Sequence, residues 1–303
     1  MRIHVALLAT LALSAFAAAP AAADTLTCGA VITHDTVLDN DLFCDPSFRG
    51  TMITIAASGI TLDLNGHGIS SMFAPGIRSE GNSRVTIRNG TVGTQSTAIS
   101  MSGDHNVLSN LDGGAFDLHD GRGSRLVDVS FRSVSVGGIL RNERHVVVER
   151  SNSDVINLFD TDHSSMRDSS GGGVTLDAQS EHNKLLRNTF RHNATLGVDG
   201  DHNTVAHNVL DGLFPIGPLE VGGDHNLVAW NTVRHVNGDG IDVNGTGNVI
   251  RGNGAFVNAA LGIFAAPGNT DGGFYRALGN GDPRQCVGVV CMSKGWGGWP
   301  AAS

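Results

Sequence analysis

A repeat of about twenty residues constrains this chain more than any other feature. Five segments share one polar tripeptide: Asp104-His105-Asn106, Asp162-His163-Ser164, Glu181-His182-Asn183, Asp201-His202-Asn203 and Asp224-His225-Asn226. Two residues after the third member of each stands an apolar residue: Leu108, Met166, Leu185, Val205 or Val228. Extending that register adds Leu64, Ile87, Val127, Val147 and Ile250. A chain that returns to one pattern at such an interval folds as a solenoid, each turn pairing with the turn before it.

Within the turns the apolar residues alternate, as in Ile60, Leu62 and Leu64, Val85 and Ile87, or Ile241 and Val243. Alternation of this kind marks short strands. The Leu-x-x-Leu-x-Leu pattern of a leucine-rich repeat is missing, so the expected fold is all-β, a parallel β-helix of about ten rungs. A second column supports it. Asn188, Asn208, Asn231 and Asn253 each follow an apolar register residue by three positions, where stacked amides can bond along the coil and satisfy the turn's backbone.

The N-terminus sets an expected compartment. Arg2 and His4 precede an apolar run from Val5 to Ala19, and Ala21-Ala22-Ala23 offers small residues for cleavage before Asp24. That layout predicts a secretory signal peptide over 1–23, too short for a membrane span. No other run is long enough to cross a bilayer, so an extracellular protein without a membrane span is expected. The formal net charge of −9, with Lys184 and Lys294 the only lysines, argues against a nucleic-acid partner. Four cysteines form two local pairs, Cys28 with Cys44 and Cys286 with Cys291. In an exported chain these read as disulfides closing each terminus, with free or metal-binding thiols as the alternative. The resulting layout is a cap over 24–58, the coil over 59–268 and a closing tail over 269–303.

The opening Gly59-Ile60-Thr61-Leu62-Asp63-Leu64-Asn65-Gly66-His67, the Asn-rich rungs after it and the tail from Gly281 through Cys291 carry a family likeness. On these residues the chain resembles the secreted bacterial right-handed parallel β-helix proteins of the pectate-lyase-like superfamily. The resemblance implies a right-handed coil and leaves activity open, because lyases, hydrolases, epimerases and non-enzymes share it. Two of the four polygalacturonase motifs are absent, and Gly66-His67-Gly68 and Asn269-Thr270-Asp271 stand in the wrong order. The Asp-Pro-His-Glu motif of alginate epimerases is missing as well.

Chemistry is therefore sought in the geometry of the strand preceding each tripeptide. Aligned by apolar residues, Leu118-His119-Asp120, Leu176-Asp177-Ala178, Leu196-Gly197-Val198, Leu219-Glu220-Val221 and Ile241-Asp242-Val243 put their central residues outward. Asp177, Gly197, Glu220 and Asp242 then form one row, with Asp199 one outward position further along. Neighbouring strands lie roughly 4.8 Å apart, so the carboxylates of Glu220 and Asp242 fall about 5 Å from one another. Three readings stay open. Calcium held by Asp177, Asp199, Glu220 and Asp242 can bind an acidic sugar for elimination or epimerisation, with His119, Arg141 or His163 moving the proton. Glu220 and Asp242 can instead be the two carboxylates of a retaining glycosidase. The third is a solvated acidic face.

Rung 139–141 allows two alignments. The histidines at 105, 163, 182, 202 and 225 read as turn residues before metal ligands. Phe116, Phe131, Phe159, Phe190 and Phe214 are expected in the core, and Tyr275, Trp296 and Trp299 at the end of the coil. The expected function is binding or processing of an extracellular polysaccharide by a monomer, lyase or epimerase before hydrolase. A non-catalytic structural or adhesive rod is the alternative.

Overall fold

A computed structural model describes residues 23–132, 138–212 and 217–292. All but the last residue of the expected signal peptide, together with Phe214, Trp296 and Trp299, lies outside these. Short strands alternate with tight corners, and every strand pairing among the described residues is parallel or a parallel bridge. The chain forms a β-solenoid of about 11 turns. No helix among the described residues is long and apolar enough to cross a membrane.

Each turn adds a strand to three sheets. The first sheet runs through Val147–Glu149, Ser165–Arg167, Lys184–Leu186, Thr204–Ala206, Leu227–Ala229 and Val249–Arg251. The second includes Val209–Asp211, Thr232–Arg234 and Gly254–Phe256. The third includes Gly138–Arg144, Ile156–Phe159, Leu219–Val221, Ile241–Val243 and Ile263–Ala265. Side chains alternate across a strand. First-sheet strands therefore bury their central residue, while third-sheet strands bury the flanking pair and turn the centre to solvent. The pairing also runs through both expected caps: Ala30–Ile32 pairs with Ile53–Ile55, and Cys286–Val287 with Ile263–Ala265.

The core is the stack of these inward residues. Leu185, Val205, Val228 and Ile250 are fully buried register partners, each contributing about 1.5–3 kcal/mol through burial. Three of the ten register positions are corrected. Leu62, Leu126 and Val148, rather than Leu64, Val127 and Val147, occupy the central column. Turn length varies from rung to rung, and 25 residues separate Leu62 from Ile87 while 18 separate Leu108 from Leu126.

The asparagine ladder forms as expected. Asn208 Nδ2 donates to Leu185 O at 2.8 Å and Asn231 Oδ1 at 3.1 Å, and its Oδ1 accepts from the Asn188 backbone at 2.9 Å. A second ladder at the opposite end of the first-sheet strands uses the last residue of the tripeptides, Asn183, Asn203 and Asn226, and continues to Asn248. The preceding histidines adopt the left-handed backbone, with φ of 52 to 59° from His163 to His225. That corner requirement explains the tripeptide.

Phe116, Phe131 and Phe190 lie in the core, the first two with ring centroids 4.6 Å apart. Phe159 does not. It faces outward opposite Arg141, because Leu158 takes the inward position. Tyr275 is buried and its hydroxyl donates to Ile250 O, so it packs the end of the coil. Disulfides join Cys28 to Cys44 and Cys286 to Cys291.

Candidate functional site on the outer face of the third sheet

The outward centres of the third-sheet strands make a continuous strip. Leu140 points inward and Ile139 and Arg141 outward, which settles the ambiguous rung. In one column Asn157, Thr175, Gly197, Glu220, Asp242 and Phe264 are successive register partners. In the column beside it stand Ser102, His119, Arg141 and Phe159.

This register corrects the expected acidic row. Thr175, not Asp177, is the partner of Gly197. Asp177 follows Leu176, whose partner Val198 precedes Asp199, so these two acids lie side by side in the second column. The cause is a two-residue slip, which preserves the outward direction while moving a residue one column along. Glu220 and Asp242 are direct partners, as expected. His119 stands five strands from Glu220, roughly 24 Å at ordinary strand spacing. It does not share a reacting atom with that pair. His163 lies on the corner leading to the first sheet, stacked 4.8 Å from His182, and away from the strip.

His119 has a different set of neighbours. Asp117 lies two residues earlier on the same strand and the same face, and Arg141 is His119's partner on the next strand. Glu80 follows the strand Ile77–Ser79, two rungs back. His119 Nε2 is 3.1 Å from Glu80 Oε2, and its Nδ1 is 3.6 Å from Asp117 Oδ1. Both His119 Nδ1 and Asp117 Oδ1 are buried without a hydrogen-bond partner among the described residues. Arg141 Nη2 donates to Asp117 Oδ2 at 2.5 Å.

Glu80 also accepts from Arg78 Nε at 3.0 Å, Ser100 Oγ at 3.1 Å and Ser102 Oγ at 3.0 Å. Burial pushes the Glu80 carboxyl up, but the hydroxyls of Ser102 and Ser100, with His119 and Arg78, hold it below the usual range. An imidazole set between two carboxylates can take a proton and pass it on. Asp117 was legible as the polar residue two before His119 in an alternating strand. Glu80 and Arg78 carry no comparable signal, because their contact with His119 depends on turn lengths.

The acid pair is electrostatically unequal. Glu220 is exposed. Asp242 is partly buried, with Oδ1 inaccessible and unpartnered. Burial raises its pKa and Asp239 adds to the rise, against a lowering hydrogen bond with Asn244. A carboxyl raised in this way is suited to hold and deliver a proton. The four carboxylates expected to share calcium are split into two pairs in different columns. Among the described residues no three His, Cys, Asp or Glu side chains converge as a metal site requires.

No protein-family model matches the chain, and no curated protein matches it. Among solved structures, the A-module of the Azotobacter vinelandii mannuronan C-5 epimerase AlgE6 superposes with a TM-score of 0.56 at 12% identity, over 87% of this chain and 92% of that one. The DFA-IIIase of Arthrobacter chlorophenolicus A6, in complex with GF2, gives 0.49 at 11% identity, over 88% and 86%. The endo-xylogalacturonan hydrolase of Aspergillus tubingensis gives 0.31 at 12%, over 89% and 88%. The first likeness establishes a shared parallel β-helix fold and nothing about chemistry. The two looser matches add no weight.

Proposed function

We propose that the outer face of the third sheet binds an extended extracellular polysaccharide, and that His119 moves a proton there in a lyase- or epimerase-type reaction. The observation that carries this reading is the position of His119, between Glu80 and Asp117 with Arg141 alongside, on a strip of repeated outward positions. Repetition suits a polymer better than a compact metabolite. Removing the proton next to a sugar carboxylate builds negative charge, and the half-exposed Arg141 guanidinium has donors to spare for it. The mannuronan epimerase that shares the fold acts on such a polymer. Export by the expected signal peptide accords with the two disulfides.

The test is a screen of the purified mature protein against polyuronates and neutral glycans, with and without calcium. Unsaturated uronate is followed by absorbance, inversion of configuration by NMR, and new reducing ends by colour. The expected result is unsaturation or inversion, lost by at least about 100-fold in His119→Ala. An undiminished rate in that variant would overturn the role given to His119. Folded protein silent in every channel would leave the non-catalytic rod.

One observation favours a second reading. The buried, unpartnered Oδ1 of Asp242 beside exposed Glu220 fits the acid and nucleophile of a retaining glycoside hydrolase. Reducing ends without unsaturation, abolished in Asp242→Asn but not in His119→Ala, would select it.

A further inference from the structure

The corner that follows His119 and Arg141 contains a buried acid that neither reading uses. Glu143 is 1% exposed, and its Oε2 is inaccessible and has no hydrogen-bond partner among the described residues. It is the register partner of Gly121 on the inner side of the corner, and Arg144 and Asp162 bridge to the next rung beside Thr161. The inward positions around it are small: Gly121 before it, then buried Thr161 and Ser180. Room for the carboxyl depends on that pattern, since a Cβ on Gly121 would stand 2.9 Å from Glu143 Oε1.

Every charge that acts strongly on this carboxyl has its own sign. Asp120 acts on it from the preceding rung and Asp104 from the rung before that. The neighbouring cations are committed elsewhere or point to solvent: Arg144 lies 3.9 Å from Asp162, and Arg122 is exposed. His105 packs against Gly123 and exposed His145 against His163. Asp120 is tied to the following turn through Asn142 Nδ2 at 2.8 Å. Whatever disturbs Glu143 therefore disturbs the two turns that end the strands carrying His119 and Arg141.

We propose that Glu143 is a pH-sensitive latch: seated as the neutral acid it closes the corner, and on losing its proton it leaves the interior and loosens the ends of both site strands. Burial, then repulsion from Asp104 and Asp120, pushes its carboxyl up to about 8. A carboxyl raised on folding adds stability that is whole below its unfolded value and is lost as pH rises through the folded value. The latch is thus closed at neutral pH and releases in mild alkali.

Two measurements on the full chain test this. Carbon-13 labelling of the glutamate carboxyls follows Glu143 directly, with its resonance assigned by loss in Glu143→Gln. Trypsin reads the corner, since Arg122 and Arg144 are exposed on either side. The expected result is a Glu143 titration near pH 8, with nicking at Arg122 and Arg144 rising by up to about tenfold for each pH unit on the approach to that value and levelling off above it, relative to Glu143→Gln. Glu143→Ala serves if the amide does not fit, as it matches the small residues of the column. Titration in the ordinary carboxylate range would overturn the latch, as would nicking that rises equally in wild type and variant.

Discussion

Glu220 and Asp242 are direct partners on adjacent third-sheet strands, yet one side chain is exposed and the other keeps an oxygen buried without a partner. A net-acidic chain could have carried two equivalent solvated acids here. The inequality arises because Asp242 is partly buried, with Asp239 close by. It gives the pair a direction, with Asp242 the better placed to hold a proton.

Asp242→Asn should therefore remove any glycosidase activity by about 100-fold or more while the fold persists. Because burial raises the native pKa of Asp242, its neutral form is the stabilising one, and that stability fades as pH rises through the raised value. The variant's melting temperature should accordingly match or exceed wild type at neutral pH. A lower melting temperature with full activity would assign Asp242 a structural role instead.

For the His119 cluster, Glu80→Gln should lower lyase or epimerase turnover while leaving polymer affinity close to wild type. Glu80 Oε2 lies 3.1 Å from His119 Nε2, so its loss acts first on proton transfer by the imidazole. Steady-state kinetics separate the two: kcat falls and KM stays. A change confined to KM would show that Glu80 contacts the polymer.

Asn208→Ala should destabilise the coil by about 1–3 kcal/mol, since it orphans the Asn188 N–H in the interior. Urea denaturation measures this. A loss below about 1 kcal/mol would mean that water replaces the amide.

Asp63 ties the first rungs together. Burial raises its pKa, but donors from Asn65 N, Asn89 Nδ2 and Arg88 Nε, at 2.9 to 3.0 Å, leave it below the ordinary value. Its contribution is present above the unfolded pKa and is lost as pH falls through the lower folded one. Asp63→Asn should cost roughly 1.5–3 kcal/mol at neutral pH and progressively less in acid, as read by melting curves across pH. Equal losses at both ends of the range would point to packing.

Cys28→Ala with Cys44→Ala should lower stability by about 3 kcal/mol, the loop-closure entropy of a link across 16 residues. Calorimetry of the pair against wild type checks it.

The amino-acid sequence by itself determined the solenoid, its interval, the alternation of inside and outside, and the asparagine ladder. Each of these repeats along the chain, so many rungs vote for one pattern. It also determined the neighbourhood of Glu220 and Asp242, whose strands Leu-Glu-Val and Ile-Asp-Val align without ambiguity. Tertiary structure alone decided which outward column a residue joins. Asp177 and His119 kept their outward direction but moved one column along, and Leu126 and Val148 displaced their neighbours from the core. It alone brought Glu80 to His119, 39 residues apart, and closed the corner over Glu143. The reason is physical: alternation specifies only the face of a strand, whereas the length and conformation of each turn set where the next strand begins, and those are decided by packing against the rung below.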